Sequence, residues 1–176
     1  LYLAGCTRPD ISFAVHRQAR FASNPSWKDW IAVKRIFRYL KGTPNLGLRY
    51  GRSAAGTTLE VFVDADHAAC QTSRTSVTGF VNILYGGSIS WSSTRQLSVA
   101  VSTTEAEYMA MSAATREVVW LRSLLKVVGF AQDGPTRIYG DHQGCIALAI
   151  HPALHQKTKH ITVHYHYTRQ KITEGD

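Results

Sequence analysis

The chain has little cysteine, no long apolar run, and few acids for its number of bases. Its three cysteines, Cys6, Cys70 and Cys145, stand far apart and form no CxxC pair. That pattern offers neither a disulfide framework nor a zinc ribbon, and it suits a reducing compartment. No apolar stretch approaches the roughly 20 residues that cross a bilayer. Internal repeats and low-complexity tracts are absent as well. Only 12 Asp and Glu face 20 Lys and Arg, leaving a formal charge of +8 and a pI near 9.6. Such a balance favours an anionic partner, nucleic acid first and a membrane surface second. The opening residues, LYLAGC, carry no Met and no signal-peptide pattern, so the chain is expected to start within a longer protein.

What the chain does have is enough apolar content for a core, 44% of 176 residues. That length suits one ordinary domain, or a small domain with an appendage. Residues 8–42 read as helical. In RPDISFAVHRQARFAS, Asp10 is a candidate N-cap ahead of Ile11, Phe13, Ala14 and Val15. In NPSWKDWIAVKRIFRYLKG, Ser26 can cap, Asp29 sits in the favourable first turn, and Gly42 ends the helix. Trp30, Val33, Phe37 and Leu40 share an apolar face, with Lys34, Arg38 and Lys41 as a basic stripe beside it. The stripe reads equally well as a solvated face or as a phosphate-contacting one. GTPNLG reads as a turn, LGLRY as a short strand, and GRSAAGTT, residues 51–58, as a linker.

Beyond the linker the pattern changes. LEVFVDAD reads as a strand, and SVTGFVNILYGGSISWSS as a hairpin turning at Gly86-Gly87. Residues 103–128 make one long helix or two short ones, closing at Gly129. TRIYGD is a strand ending in Asp141, GCIALAIHP a short helix, and HITVHYHYTRQKITEG a last helix. Three strands, a helix, a strand and further helices predict an α/β fold: a mixed sheet with helices packed against it.

Three acids stand out. Asp64 and Asp141 each end an apolar strand, and strand ends are where open α/β sheets hold ligands. Glu107, in STTEAEYMAMSAA, lies near the start of the helix between them. If the two strands pair and the helix start lies over them, three carboxylates converge. Converging carboxylates need a cation to stay ionised, and an all-oxygen set suits Mg²⁺ or Mn²⁺. Each acid has a plainer reading. Glu107 could serve a capping box with Thr104, as Glu105 could with Ser102. Asp141 could form an Asx turn or cap the next helix, and Asp64 and Asp66 could be turn acids.

Taken in order, DADHA, SVTGF, SWSSTRQLSVAVSTTEAEYMA, WLRSLL, IYGDHQGCIALA and KTKHITVHYHYTRQKI resemble the ribonuclease H end of a copia-type retrotransposon Pol polyprotein. TRPDISFAVHRQARFASNPSWKDWIAVKRIFRYLKGTPNLGLRYG resembles the segment just before it, the thumb or connection of the reverse transcriptase. The resemblance implies a helical segment at 1–50, a linker at 51–58, and a ribonuclease H-like domain at 59–176 whose fifth strand and last helix are missing. It also implies roles. Asp64, Glu107 (the Glu of EYMA, in preference to Glu105) and Asp141 would be the catalytic acids holding Mg²⁺ or Mn²⁺, with Asp66 a spare or supporting acid. The order Asp, Glu, Asp favours ribonuclease H over the related integrase fold, where Glu comes last. The implied partners are an RNA–DNA hybrid and the remainder of the Pol polyprotein, in a cytoplasmic particle or the nucleus, with no membrane and no secretion.

The match has departures. The family uses a fourth acid. Thr162 stands where relatives often read Asp, but that Asp is read as a helix cap, which Thr can replace. The fourth acid is expected on a final helix beyond the chain, and Asp176 on a frayed terminus is a poor substitute. His67 replaces the usual Trp. His142 replaces the usual Asn, read as tolerated drift against a sharper role in product release or phosphate binding. The Tyr-x-Asp-Asp polymerase motif is absent. His155, His160, His164 and His166 are dense, but without HExxH or a nearby cysteine they read as a polar face rather than a zinc site. Arg74, Arg95, Arg116, Lys157 and Lys159 join Lys34, Arg38 and Lys41 as candidate nucleic-acid contacts. The expected activity is metal-assisted hydrolysis of the RNA strand of a hybrid in the intact parent. The alternatives are a non-catalytic nucleic-acid-binding remnant of the same element, and a structural role with the basic helix as a docking surface.

Overall fold

The alternation in LEVFVDAD builds strand β1 (Glu60–Asp66), with Val61, Val63 and Ala65 buried and Phe62, Asp64 and Asp66 exposed. The structure is a computed structural model that describes residues 1–51, 57–68, 73–150 and 162–175, the side chains of 162–166 excepted. Most of the expected linker, together with Cys70, His155, Lys157, Lys159, His160 and Asp176, lies outside the described residues, as do the side chains of Thr162, His164 and His166.

Strands β2 (Val77–Leu84), β3 (Gly87–Arg95) and β4 (Arg137–Tyr139) complete a four-stranded mixed sheet in the order β3-β2-β1-β4. β1 runs antiparallel to β2 and parallel to β4. The hairpin turns one residue earlier than expected. Leu84 pairs with Gly87, and Tyr85 and Gly86 between them both have positive φ, 53° and 74°. Two positive φ values make the type I′ turn that matches strand twist. Gly87 is a glycine for a different reason: a Cβ there would lie 2.5 Å from both the Arg49 carbonyl oxygen and the Tyr50 ring.

Six helices accompany the sheet among the described residues: α1 (Tyr2–Cys6), α2 (Ser12–Ala19), α3 (Trp27–Gly42), α4 (Thr103–Val127), α5 (Gln143–Ile150) and α6 (Thr162–Glu174). Residues 103–127 form one helix rather than two. Its buried stripe, Ala106, Ala110, Ala114, Val118, Leu121 and Leu125, recurs at helical spacing and packs on Leu59, Val61, Val63, Ala65 and Leu84. Alanines at the N-terminal end of that stripe let the backbone of α4 come close to the sheet. A second cluster, Tyr108 and Met111 with Cys145 and Ala149, seats α5 on α4. No described helix is long and apolar enough to cross a membrane.

In the N-terminal third the structure corrects several expectations. Asp10 is not an N-cap: Pro9–Ile11 forms a 3-10 turn, α2 starts at Ser12, and Asp10 is held by the Arg8 guanidinium at 2.8 Å. That guanidinium also reaches Thr43, clasping the two ends of the helical segment. Ser26 and Asp29 do form a capping box. LGLRY is not a strand; Tyr50 and Gly51 are tied instead to the hairpin, by the Tyr50 hydroxyl donating to the Ser88 carbonyl (2.7 Å) and the Gly51 amide to that of Tyr85 (3.0 Å). The apolar face of α3 stays largely open, with Trp30 and Phe37 exposed. The helical segment meets the sheet at β3: the Trp91 indole donates to the Ala4 carbonyl, and His16 Nδ1 to that of Ser93, each at 2.7 Å.

Gly87→Ala should therefore force residues 49–50 off the hairpin and cost about 1–3 kcal/mol. Gly134→Ala, where a Cβ meets nothing within 4 Å, should change stability little. Urea unfolding of the two variants beside the parent checks the contrast.

Candidate metal centre

Which glutamate of α4 serves the helix and which faces the sheet is settled by the cap. Ser102 Oγ accepts the Glu105 amide, and Glu105 Oε2 accepts the Val101 amide at 2.7 Å. Glu105 thus stabilises the start of α4. Glu107, two residues on, is buried over β1, close enough to the Ala65 amide for it to favour the charged carboxylate. β4 ends at Tyr139, opposite Phe62, so β1 runs on past its parallel neighbour. Asp64 lies in that overhang, and Asp141 follows β4 by two residues. One carboxylate oxygen from each of Asp64, Glu107 and Asp141 lies within 4.8 Å of the others.

The carboxyl of Glu107 is held above its ordinary pKa, chiefly by burial and then by the negative charge of Asp64. The Ala65 amide opposes this, and Asp141 adds to it. A buried acid with two exposed acids around it is a site that a cation would relieve. The donor set is all oxygen, which suits hard ions such as Mg²⁺ and Mn²⁺. Oxygens about 2.1 Å from one Mg²⁺ can be at most about 4.2 Å apart, so the cluster needs only slight closure.

Asp66 is not in the cluster. It lines a groove of about 560 Å³ on the open face of the sheet, with Asp64, Phe62, Trp91 and Phe13. Arg74, Arg95 and Arg116 are exposed, as are Arg38 and Lys41. Lys34 packs its ammonium over the rings of Trp27 (5.1 Å) and Trp30 (5.8 Å). His67 bonds the Ala100 carbonyl. Sequence reasoning missed the part played by His142. Its Nδ1 accepts the Cys145 amide at 3.0 Å, so it caps α5 in place of Asp141. The available signal was its position, between a strand-ending acid and a helix. Burial, and then the charge of Glu107, pushes the Cys145 thiol up to about 12, so this cysteine is an inert packing residue.

Among known proteins the chain is 41% identical over 174 residues to the retrovirus-related Pol polyprotein from transposon TNT 1-94 of Nicotiana tabacum. To that from transposon RE1 of Arabidopsis thaliana it is 39% identical over 174 residues. Both matches take in 99% of the chain. Along nearly its whole length the chain is similar to the retrovirus-related Pol polyproteins of plant transposons. It spans only 13% and 12% of the length of those two polyproteins. It is also 48% identical over 122 residues to the secreted RxLR effector protein 161 of Plasmopara viticola, covering 69% of this chain and 84% of that protein. No family model and no solved structure matches this Pol-related chain.

A carboxyl whose pKa folding has raised binds its proton more tightly in the folded state. Metal-free stability should therefore rise as pH falls through the raised Glu107 value, levelling off below the ordinary carboxylate range. Glu107→Gln should abolish that rise and lift the melting temperature near neutral pH by a few degrees. Thermal melts in chelator between about pH 4 and 8 check both.

Proposed function

We propose that this chain is the ribonuclease H portion of a copia-type retrotransposon Pol polyprotein. On this reading residues 1–50 are its thumb or connection segment, 51–58 the linker, and 59–176 a ribonuclease H-like domain. In the intact parent it hydrolyses the RNA strand of RNA–DNA hybrids. The observation that carries this reading is the meeting of Asp64, Glu107 and Asp141 at one end of β1. The kinship with Pol polyproteins and the mixed sheet flanked by helices support it.

Asp64, Glu107 and Asp141 would hold Mg²⁺ or Mn²⁺, which supplies an activated water and a stabilised leaving oxygen at a phosphodiester. Asp64 and Asp141, exposed, face the substrate side, while buried Glu107 anchors the site to α4. Strand choice comes from hybrid shape and the 2′-hydroxyl rather than from base reading. Lys34, Arg38, Lys41, Arg74, Arg95, Arg116, Lys157 and Lys159 would set affinity and its salt dependence. The remainder of the polyprotein is the natural covalent partner. A second reading, binding without cleavage, is favoured by one observation: among the described residues the cluster counts three acids, whereas the resemblance implies four.

Asp64→Asn should lower Mg²⁺-dependent cleavage of a labelled hybrid by at least about 100-fold while leaving the circular dichroism spectrum unchanged. Cleavage retained in that variant sinks the assignment. A parent protein that binds hybrid and releases no product in Mg²⁺ or Mn²⁺ moves the conclusion to the second reading.

A further inference from the structure

His142 does more than cap a helix. Its carbonyl accepts the amides of Cys145 (3.0 Å) and Ile146 (3.1 Å), which makes it the residue from which α5 starts. Its side chain folds back so that Nδ1 accepts the Cys145 amide. A ring nitrogen that accepts carries no proton, so in this arrangement the imidazole proton sits on Nε2. Nε2 faces Thr104 Oγ1 at 3.5 Å. The ring occupies space that Gly144 leaves open: a Cβ there would stand 2.9 Å from His142 Cε1, 3.3 Å from Nδ1, and 3.6 Å from Thr104 Oγ1.

The two ends of this bridge are informative. His142 directly follows Asp141. Thr104 precedes Glu107 by three residues, which puts the two on one side of α4. The ring therefore spans from the neighbour of the third acid to the neighbour of the second. Those two acids repel. We propose that His142 is a positioning residue, holding Asp141 at its distance from Glu107 through Thr104 and the seat on Gly144. This rests on reading the three acids as a metal centre.

Asparagine separates this role from simple capping. Its Oδ1, like histidine Nδ1, is bonded to Cγ and can accept the same amide, but nothing in asparagine reaches Thr104. Mn²⁺ binding by the full chain, measured by calorimetry, and metal-free melting temperature are the two readouts. His142→Asn should melt close to the parent yet bind Mn²⁺ about 10-fold more weakly. Thr104→Val should do the same, Thr104→Ser should restore binding, and the double variant His142→Asn/Thr104→Val should be no worse than either single one. Gly144→Ala, which keeps both side chains and displaces the ring, should weaken Mn²⁺ similarly. If His142→Asn binds as the parent does while Asp64→Asn does not, the positioning role falls and the metal centre stands. If His142→Asn loses stability in step with affinity, the ring is only a cap and the role falls too. A parent chain that binds no Mn²⁺ at millimolar concentration overturns both.

Discussion

Strand β1 has a neighbour on each side and a helix over one face, so its register cannot slip by one residue without turning Val61, Val63 and Ala65 to solvent and Asp64 into the core. That restriction places the first acid. β4 ends early, and in the far part of β1 the Ala65 amide lies where it favours the charged form of the Glu107 carboxyl. The reach of Glu107 follows in turn from the close seat of α4, which the Ala106, Ala110 and Ala114 stripe permits. Placement of the acids is thus a consequence of core packing, and their mutual repulsion opposes it.

The magnitudes bear this out. Two unit charges 4.8 Å apart repel by roughly 3–4 kcal/mol at an effective dielectric of about 20. Three carboxylates brought together form several such pairs, partly relieved by solvent around the two exposed acids and by the proton that Glu107 holds more readily than an ordinary carboxyl. A fold of this size has only about 5–15 kcal/mol of net stability. The site is therefore a local weakness that the α4–sheet core must outweigh. On the proposed reading a divalent ion would offset this repulsion, and the more firmly the core holds the acids together, the more specific the geometry offered to the ion.

Much of this arrangement was legible from the residues. The alternation of LEVFVDAD, the Gly-rich turn and the long apolar period of α4 gave the mixed sheet and its helix, because burial imposes those periods. The choice between Glu105 and Glu107 was only implied by a resemblance; in the structure Ser102 claims Glu105 for the helix start, and Glu107 is the one that lies near Asp64 and Asp141. The turn at Tyr85-Gly86 was missed because Gly86-Gly87 looked the better pair, and Gly87 is needed instead for the close approach of Tyr50, a contact 37 residues away in sequence that no local pattern reports. Asp10 went astray for the same reason. Its partner Arg8 is local, but what fixes Arg8 is Thr43, at the far end of α3. His142 resembled drift because histidine is an uncommon cap, and its second nitrogen matters only once α4 and α5 are side by side.

The helical segment and the sheet look separable in sequence, with a Gly- and Ser-containing stretch between them, yet they share a surface at the site. Pro9, Ser12 and Phe13 wall the groove whose floor is Phe62, Asp64 and Asp66, and bonds from Trp91 and His16 hold that wall on β3. The face of β1 that carries the acids is therefore composite: its charge comes from the strand and its far boundary from the N-terminal helices. Phe62 stacks on Tyr139 at 4.9 Å, so the residue two before Asp64 packs on the residue two before Asp141. That stack joins the two parallel strands just before their acids. A change in the N-terminal segment can reach Asp64 by this route without touching it, because the groove, Phe62 of the aromatic stack and Asp64 lie on one face of β1.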